Sequence, residues 1–367
     1  MKTCKPEYYD RFHCIADACR DSCCIGWEID VDDEKSAYYK TVSGELGERL
    51  RTCIDWKEGH FILQGKEERC PFLNRDNLCD LILGLGEESL CDICREHPRF
   101  YDWYDGYTEA GLGLCCEEAA RLLLESDKKL TFISDHYIDE EPWVNVLFSA
   151  RSTAISILQN RTVSIWKRIR AFFMFIEELQ DCIEFDNMEE AEETVRYYAE
   201  SSLFEELDNT QTFRNPGKDF KFNYETVIEL CEELEPMDST WLDLLKDLKD
   251  FVQDNEFILH QERKFYNECG SLDYHYEHLA VYFTYRYFMK SREDSSLYSK
   301  GMLLVFCLLL IHLLDLYEFT KIGTVTTESR AWNSKRCSKE IEYSEDNLEK
   351  LEETLWNADF EAFYCTF

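Results

Sequence analysis

Apolar side chains recur at helical spacing through the second half of this chain. One such series lies within Leu147–Cys182 and predicts at least one long amphipathic helix there. Its members are Ile155, Leu158, Trp166, Ile169, Phe173 and Ile176. The same pattern predicts further helices over 188–207, 224–235, 240–259, 276–290, 297–319 and 345–363. We therefore expect an α-helical bundle or array over 141–367, beginning at Pro142.

Two stretches of this half depart from the pattern. The run Met302–Leu314 is apolar almost throughout, but its 13 residues fall short of the roughly 20 that a membrane-spanning helix needs. It therefore predicts a buried core helix, and no membrane partner is expected. By contrast, Thr320–Ser338 is polar and contains a β-branched run after Gly323, which predicts a loop or a short pair of strands.

The first 140 residues have a different texture, because glycine and proline interrupt them at short intervals. Such punctuation predicts short elements joined by turns. Helices are expected within 34–53, over 87–94 and over 117–124. A chain of 367 residues suits about two domains. We predict an irregular cysteine-rich, metal-binding domain over 1–140 and an α-helical domain over 141–367, so that the fold class is mainly α.

The formal net charge of −35, from 40 basic and 75 acidic residues, argues against nucleic acid and against an anionic membrane as partners. The N-terminal residues contain no apolar segment of the kind that a secretory signal requires. The chain is therefore expected in the cytoplasm, where disulfides are uncommon. Cysteines in that compartment are better interpreted as metal ligands than as bridges.

Cysteine is concentrated near the start of the chain: 12 of the 18 cysteines lie within the first 116 residues. Soft thiolates in short groups are typical of zinc or iron–sulfur sites. The pair Cys91-x2-Cys94, with His97 three residues further on, has the spacing of zinc ligands. An iron–sulfur cluster needs about four cysteines with looser spacing. The spacing therefore leaves zinc and iron–sulfur both open.

The order of the cysteine groups resembles a family signature. It opens with Phe12-x-Cys14-x4-Cys19-x3-Cys23-Cys24-x-Gly26-Trp27 and Asp30, continues through Cys70-Pro71-Phe72-Leu73, Leu78-Cys79, Leu85-Gly86-Glu87 and Leu90, and ends with Cys94, Pro98-Arg99 and Cys116-x2-Ala119-Ala120-Arg121. Over residues 8–125 this series resembles the flagellin lysine N-methylases, the FliB family. Part of the signature is shared with a broader group of iron- or zinc-chelating cysteine-cluster proteins.

The resemblance implies an iron–sulfur cluster of the 4Fe–4S type and methyl transfer from S-adenosylmethionine to lysine side chains of flagellin; zinc is the alternative metal. It also implies the metal ligands, which fall on Cys14, Cys19, Cys23, Cys24, Cys70, Cys79, Cys94 and Cys116. Because one cluster needs about four thiolates, the resemblance does not say which of these hold it. The alternative functions are a non-catalytic metal-chelating module and a zinc-stapled helical interaction protein.

Lysine methylation needs a neutral amine, obtained by burial or by a group that removes its proton, and a methylsulfonium held in line with it. Aromatic faces favour both cations, so the aromatic run Tyr101–Tyr107 is one hypothesis for the cofactor or substrate site; a packed hairpin is the alternative. Trp27 is expected to shield the metal or to lie in the core, and Arg99 to pair with a carboxylate of the cofactor or of this protein. The cofactor-binding candidates are Trp27, Arg99, Tyr101 and Tyr104, and no catalytic residue is assigned.

Two histidines, His278 and His312, lie in predicted helices, and His275 lies directly before one of them. His275 and His278 have a spacing compatible with a metal, but no third ligand is identifiable, so a solvated face or a core position is favoured. His312 lies inside the apolar run Met302–Leu314. It is expected to be a core histidine whose ring is hydrogen-bonded by a neighbour.

Overall fold

The computed structural model describes residues 2–66, 68–200 and 220–358. Its N-terminal part consists of short elements, as the glycine and proline punctuation predicts. The strands are β1 (Lys2–Pro6), β2 (Ile54–Asp55), β3 (His60–Phe61), β4 (Arg99–Tyr104), β5 (Tyr107–Leu112) and β6 (Phe132–Ser134). The helices are α1 (Asp33–Thr41), α2 (Gly44–Thr52), α3 (Asp80–Leu85), α4 (Asp92–Glu96) and α5 (Glu117–Leu124). The helix over 117–124 is confirmed, 34–53 contains two helices, and 87–94 contains only a 3-10 turn and the start of α4.

Four of these strands form one mixed sheet in the order β4-β5-β1-β6. β1 is parallel to β5 and antiparallel to β6, and β4 and β5 form a hairpin in which Tyr104 pairs with Tyr107. Gly106 in the turn has φ +71°, a left-handed conformation that glycine adopts at little cost. The interpretation of the Tyr101–Tyr107 run as a packed hairpin is therefore confirmed.

From Pro142 onwards, every regular element among the described residues is helical. The helices are α6 (Pro142–Leu158), α7 (Ile165–Glu184), α8 (Met188–Glu200), α9 (Phe220–Glu232), α10 (Trp241–Phe251), α11 (Asn255–Cys269), α12 (Asp273–Tyr287), α13 (Ser291–Asp294), α14 (Leu297–Ile322), α15 (Thr327–Ile341) and α16 (Glu345–Trp356). The prediction of a mainly α-helical fold is confirmed, with Pro142 at the start of α6. The predicted helix ends over 201–207 and 359–363 lie outside the described residues.

Two predicted helical stretches are each divided in two. The series within 147–182 is interrupted between α6 and α7, where the Ser164 side chain accepts a hydrogen bond from the Lys167 N–H. The stretch 240–259 is interrupted before α11, whose cap Asp254 accepts from the Phe257 N–H. Serine and aspartate satisfy amide groups that the first turn of a helix leaves without partners. A new helix therefore begins at each of these caps.

Helix α14 lies inside the larger hydrophobic core. All residues of Met302–Leu314 are buried, so the prediction of a core helix is confirmed. By length and composition α14 is able to cross a membrane, but 89% of its most apolar window is buried within the protein, as in the core helix of a globular domain. Gly301 permits a close approach to α7, because a Cβ at that position would lie 3.1 Å from Ile176 and 3.3 Å from Phe173.

The stretch that includes α15 is mostly helical, so the prediction of a loop or strand pair over Thr320–Ser338 is wrong. Thr326 caps α15 through reciprocal hydrogen bonds with Ser329, which starts a helix within the β-branched run. The polar residues of α15 are buried because they have polar partners. Arg330 Nε donates to Asp315 of α14 at 2.5 Å, and the Asn333 amide donates to the same carboxylate at 2.9 Å. Such pairing offsets the cost of removing polar groups from water.

Two hydrophobic cores position the site. The smaller core belongs to the N-terminal part alone and comprises Ile29, Val31, Tyr39, Val42, Leu50, Ile54, Phe61, Cys70, Phe72, Leu73, Leu81 and Cys91. The larger core joins the C-terminal helices to Tyr8, Phe12 and the apolar side of α5. It therefore includes residues from both sides of position 140, and the proposed domain boundary there stays a prediction.

Candidate functional site

A cavity of about 900 Å³ lies where the smaller core meets α5 and the residues around α15. Its wall contains all the cysteines of the predicted metal set: Cys14, Cys19, Cys23, Cys24, Cys70, Cys79, Cys94 and Cys116. These residues come from four separate stretches of the chain. None of the described cysteines is in a disulfide. The fold therefore gathers the predicted ligands around one space as free thiols.

Backbone pairing brings Cys24 beside Cys70. The Cys70 N–H donates to the Cys24 carbonyl oxygen at 2.8 Å, and Ile25 pairs with Arg69 in an isolated bridge. Gly26, which follows, has φ +86°, a left-handed backbone conformation that favours glycine over other residues. The Cys-Cys-x-Gly order of the sequence thus permits the turn that carries the chain from Cys24 past Cys70.

Four thiols form an inner quartet, which we define as Cys24, Cys70, Cys79 and Cys94. Burial raises the pKa of the Cys70 thiol to about 12, and the neighbouring Cys24 and Cys79 thiols add to the increase. The pKa of Cys94 is also raised, first by its hydrogen bond with Cys91 and by burial, and then by Cys91, Cys24 and Cys70. Members of the quartet are therefore close enough to act on one another's ionisation.

Backbone amides are directed at the sulfur atoms of this quartet. The N–H groups of Phe72 and Leu73 lower the pKa of the Cys70 thiol, although burial outweighs them. The N–H groups of Leu81 and Ile82 do the same for Cys79, whose pKa is nevertheless raised by burial. An N–H donor stabilises a thiolate more than a thiol. Hydrogen bonds to sulfur are also among the features that tune iron–sulfur clusters.

The other four thiols form an outer quartet, defined as Cys14, Cys19, Cys23 and Cys116. Burial raises the pKa of Cys116 to about 12, and the next largest increases come from Cys19 and Cys14. The pKa of Cys23 is raised first by its hydrogen bond with Cys24 and further by the neighbouring thiols Cys24, Cys14 and Cys116. Cys14 and Cys23 are exposed. The outer quartet is thus the more accessible of the two.

The outer quartet is held against the helical half of the protein. Cys116 is the N-cap residue of α5, and the next residue, Glu117, forms a 2.7 Å ion pair with Arg20. The Cys19 thiol donates to the Asp21 carbonyl oxygen at 2.7 Å, while the Asp21 carboxylate accepts from Lys335 of α15. Sequence reasoning missed Lys335, because the stretch that contains it was predicted to be a loop or strands.

The Lys335 amine lies in the cavity wall and is almost completely buried. Burial lowers its pKa to about 7, with a further decrease from the neighbouring Lys339, while Cys19 acts in the opposite direction. The Lys339 amine also contacts Asp21, at 3.0 Å. An amine beside this cavity therefore loses its proton more readily than an amine in water.

Three aromatic side chains meet at the cavity wall. Trp27 packs on His97 and on Tyr343, with ring centroids 5.7 and 5.1 Å apart, and the Tyr343 hydroxyl lies 2.6 Å from His97 Nδ1. Burial lowers the pKa of His97 to about 4, so the ring is neutral at pH 7. Its other nitrogen, Nε2, is buried and has no hydrogen-bond partner among the described residues.

The four cofactor-binding candidates occupy different places. Trp27 and Arg99 line the cavity. Tyr101 lies behind its wall, where the Tyr101 hydroxyl donates to Glu96 at 2.7 Å. Tyr104 is elsewhere: its hydroxyl donates to Asp102 at 2.9 Å and its ring packs against Phe148.

Arg99 is available to an anionic ligand. Its guanidinium lies over the rings of Tyr9 and Phe12, 5.7 and 5.3 Å from their centroids, and Nη1 donates to the Arg95 carbonyl oxygen at 3.4 Å. No carboxylate of the described ranges is within ion-pair distance of Arg99. The internal salt bridge that the sequence favoured is therefore not formed within these ranges.

The donor set can be compared with the metals that it was predicted to bind. Within residues 2–66, 68–200 and 220–358, no three His, Cys, Asp or Glu side chains converge closely enough to hold a single ion. A structural zinc ion needs four ligands at about 2.3 Å from one point when all are sulfur. An iron–sulfur cluster instead binds its thiolates at separate iron atoms. Thiols that surround a cavity without meeting at one point fit a cluster better than a single ion.

The histidines of the helical half have structural partners. His278 Nδ1 and Nε2 each lie 2.8 Å from a backbone oxygen, those of Leu123 and Lys128. His312 contacts the Tyr276 hydroxyl at 2.7 Å, and His275 lies 3.2 Å from an Arg330 nitrogen. All three rings are buried. The prediction of a core histidine is confirmed for His312, and of the two alternatives for His275 and His278 the core position is the one found.

Several known proteins are similar to this chain. The family model of the FliB lysine N-methylase C-terminal domain matches residues 151–365. A lysine-N-methylase of Salmonella typhimurium (strain LT2) is 25% identical over 247 residues, which cover 62% of this chain and 59% of that protein. A lysine-N-methylase of Salmonella choleraesuis is 24% identical over the same shares of both chains. The flagellar biosynthetic protein FliU of Salmonella muenchen is 29% identical over 133 residues, 34% of this chain and 78% of that protein.

These similarities cover only part of each protein. The chain spans 59% of the length of the lysine-N-methylases that it matches. No solved structure matches the chain. The family model covers the helical half, while the cysteine series lies before it.

Proposed function

The chain belongs to the FliB lysine N-methylase family, and we propose that it transfers a methyl group from S-adenosylmethionine to lysine side chains of flagellin. The observation that carries this proposal is the convergence of all the signature cysteines on one cavity beside the family-matched helices. The similar proteins are named lysine-N-methylase and flagellar biosynthetic protein. Those names support a lysine substrate on a flagellar protein.

We further propose an iron–sulfur cluster in the outer quartet. Cys14, Cys19, Cys23 and Cys116 would hold it, since two of these thiols are exposed and all face the cavity. When bound, the cluster supplies an iron atom that can anchor the amino acid end of S-adenosylmethionine. Two cations of the protein lie beside this quartet, namely Arg20 and Lys339. They offset the negative charge that thiolate ligands bring together.

Arg99 and its aromatic neighbours suit the two ends of this cofactor. The guanidinium can bind a carboxylate in bidentate geometry, and it has no ion-pair partner among the described side chains. The faces of Tyr9, Phe12 and Trp27 line the same cavity, and aromatic faces favour a sulfonium cation. Binding the cofactor at both ends would fix the position of its methyl group for transfer.

Burial in the cavity provides the neutral amine that methyl transfer requires. The lowered pKa of Lys335 supports this role, because burial in the cavity wall is its main cause. A substrate lysine that enters the cavity would lose hydration in the same way, and its proton would leave to solvent before transfer. The net charge of −35 favours the approach of a positively charged lysine at long range.

The test is methylation of purified flagellin. Anaerobically purified chain is incubated with S-adenosylmethionine and flagellin from the same organism, and methylated lysines are mapped by mass spectrometry. We expect methylation by the parent chain and by Cys53→Ser, since Cys53 is not in the cavity wall, and its loss in Cys14→Ser/Cys116→Ser. Unmodified flagellin with iron-loaded parent chain would overturn the proposal. Colourless protein that holds only zinc would instead support the zinc-stapled interaction protein.

A further inference from the structure

The signature thiols are divided into two groups, and we propose that the chain binds two separate thiolate-ligated metal centres, one in each quartet. The outer centre is the cluster of the proposed function, so this part of the inference rests on that proposal. The inner centre, on Cys24, Cys70, Cys79 and Cys94, is additional. Its role is to hold the smaller core together.

The division follows from where the thiols pack. Cys70 belongs to the smaller core, and Cys24, Cys79 and Cys94 pack against it. Cys116 instead packs against the larger core as the N-cap residue of α5, and Cys14 and Cys23 are exposed. The neighbours Cys23 and Cys24 therefore fall on opposite sides of the division. One adjacent pair thus supplies a ligand to each group, and four thiolates suit one centre.

The inner quartet is already fixed by the backbone. Besides the Cys70 to Cys24 hydrogen bond, Leu73 forms a bridge with Cys79, and the Asp80 N–H donates to the Phe72 carbonyl oxygen at 2.8 Å. These bonds hold Cys70 and Cys79 together in one tight turn.

The inner centre would stabilise the smaller core. Its buried members are few and include two cysteines, Cys70 and Cys91, and small cores usually need a disulfide or a metal for stability. Cys24, Cys79 and Cys94 pack against this core from its edge, and no disulfide is formed by the described cysteines. A metal that joins these stretches would cross-link the core from inside.

The outer quartet differs in each of these respects. Two of its thiols are exposed, and Cys116 belongs to α5 rather than to the smaller core. It contacts the helical half through Asp21 and Lys335. Both quartets line the cavity, but the inner thiols are packed on the smaller core. The inner centre is therefore structural, whereas the outer centre is accessible to a substrate. Because the thiols surround the cavity without meeting at one point, each centre is an iron–sulfur cluster, whose thiolates bind at separate iron atoms.

The number of metal centres is determined from the metal content per chain. The full chain is purified anaerobically, and iron, acid-labile sulfide and zinc are measured per chain, so that the cell supplies the metal. Each thiol that binds gives up its proton to solvent, and the count requires no added oxidant or reductant. The variants are Cys70→Ser/Cys79→Ser for the inner centre, Cys14→Ser/Cys116→Ser for the outer centre, and Cys53→Ser as the control from the edge of the smaller core.

We expect each double variant to lose about half of the metal of the parent chain, a two-fold decrease, and Cys53→Ser to lose none. Loss of all metal in either double variant, or one centre in the parent chain, would overturn the inference. Because an inner variant can fail to fold, alkylation of the parent chain provides a second measurement. Both quartets should be protected when metal is bound, while Cys53 reacts; alkylation of either quartet would overturn the inference.

The same measurements separate this inference from the proposed function. Two centres in a chain that leaves flagellin unmethylated would refute the methyltransferase proposal alone. One centre in a chain that methylates flagellin would refute the two-centre inference alone. Two iron–sulfur centres in a chain that methylates flagellin would support both.

Discussion

The hydroxyl of Tyr343 lies 2.6 Å from Nδ1 of His97, although 246 positions separate the two residues. Tyr343 follows the end of α15, and His97 follows the end of α4. Trp27, in the loop of the first cysteine group, packs on both rings. This contact closes one side of the cavity and joins the cysteine-rich part to the helical part.

Removing the hydroxyl in Tyr343→Phe should destabilise the protein. The variant leaves His97 Nδ1 buried without this partner, at a cost of about 1–3 kcal/mol in the free energy of unfolding. Chemical denaturation of the parent and the variant measures the difference. Tyr38→Phe is the matched control, because Tyr38 is 39% exposed, and it should change the free energy of unfolding little. Equal effects of both variants would contradict the structural role of this hydrogen bond.

The buried ion pair between Arg330 and Asp315 should be among the most sensitive sites of the helical half. Both side chains are fully buried, so Arg330→Leu leaves an uncompensated carboxylate and should cost about 3–5 kcal/mol. Lys57→Met removes the exposed partner of Glu58 and should cost less than about 1 kcal/mol. Denaturant midpoints measure both effects. An Arg330→Leu variant that is as stable as the parent chain would argue against the packing of α15 described above.

Protonation of His275 should weaken the fold at low pH. Burial and the charge of Arg330 lower the pKa of His275 to about 2, while the unfolded chain has a histidine pKa of about 6.5. Below pH 6.5 the unfolded state therefore binds more protons, and the free energy of unfolding falls as pH decreases. His275→Gln should lose less stability between pH 7 and pH 5 than the parent, by about 1–2 kcal/mol.

Urea denaturation at the two pH values gives the comparison. His136→Gln is the control, since His136 is exposed, and it should retain the pH dependence of the parent chain. A pH dependence that is the same in His275→Gln and in the parent would show that other groups govern acid sensitivity.

Arg99→Met should weaken binding of S-adenosylmethionine if the guanidinium binds the cofactor carboxylate. A hydrogen bond to a charged group contributes about 1.5–3 kcal/mol, so the dissociation constant should rise at least about 10-fold. Calorimetry on anaerobically purified protein measures the change. Arg75→Met is the control, because Arg75 is exposed and does not line the cavity. Unchanged affinity in Arg99→Met would assign Arg99 to packing on Tyr9 and Phe12.

Local sequence signals predicted several elements closely. The helix over 117–124 and the start of the helical half at Pro142 depend on nearby residues alone, and both are found. The core position of Met302–Leu314 follows from its apolar composition. The breaks before α7 and α11 were missed, because a single cap residue such as Ser164 or Asp254 outweighs an apolar series that continues across the break.

The error over Thr320–Ser338 had a different cause. The polar composition of this stretch predicted a loop or a pair of strands, but the buried helix α15 depends on Asp315 of the neighbouring helix α14, which pairs with Arg330 and Asn333. A partner of this kind is not visible from the local sequence. The same error concealed Lys335, although it lies in the wall of the candidate site.

The sequence by itself determined the helical character of the second half, because helical periodicity is a property of short stretches of chain. Its resemblance to the FliB family implied the set of eight cysteines, all of which line the cavity. Only the tertiary structure decided how those cysteines are grouped. Cys23 and Cys24 are neighbours in sequence, yet Cys24 packs against the smaller core with Cys70, Cys79 and Cys94, whereas Cys23 is exposed. That division depends on contacts between distant stretches, and spacing along the chain carries no information about them.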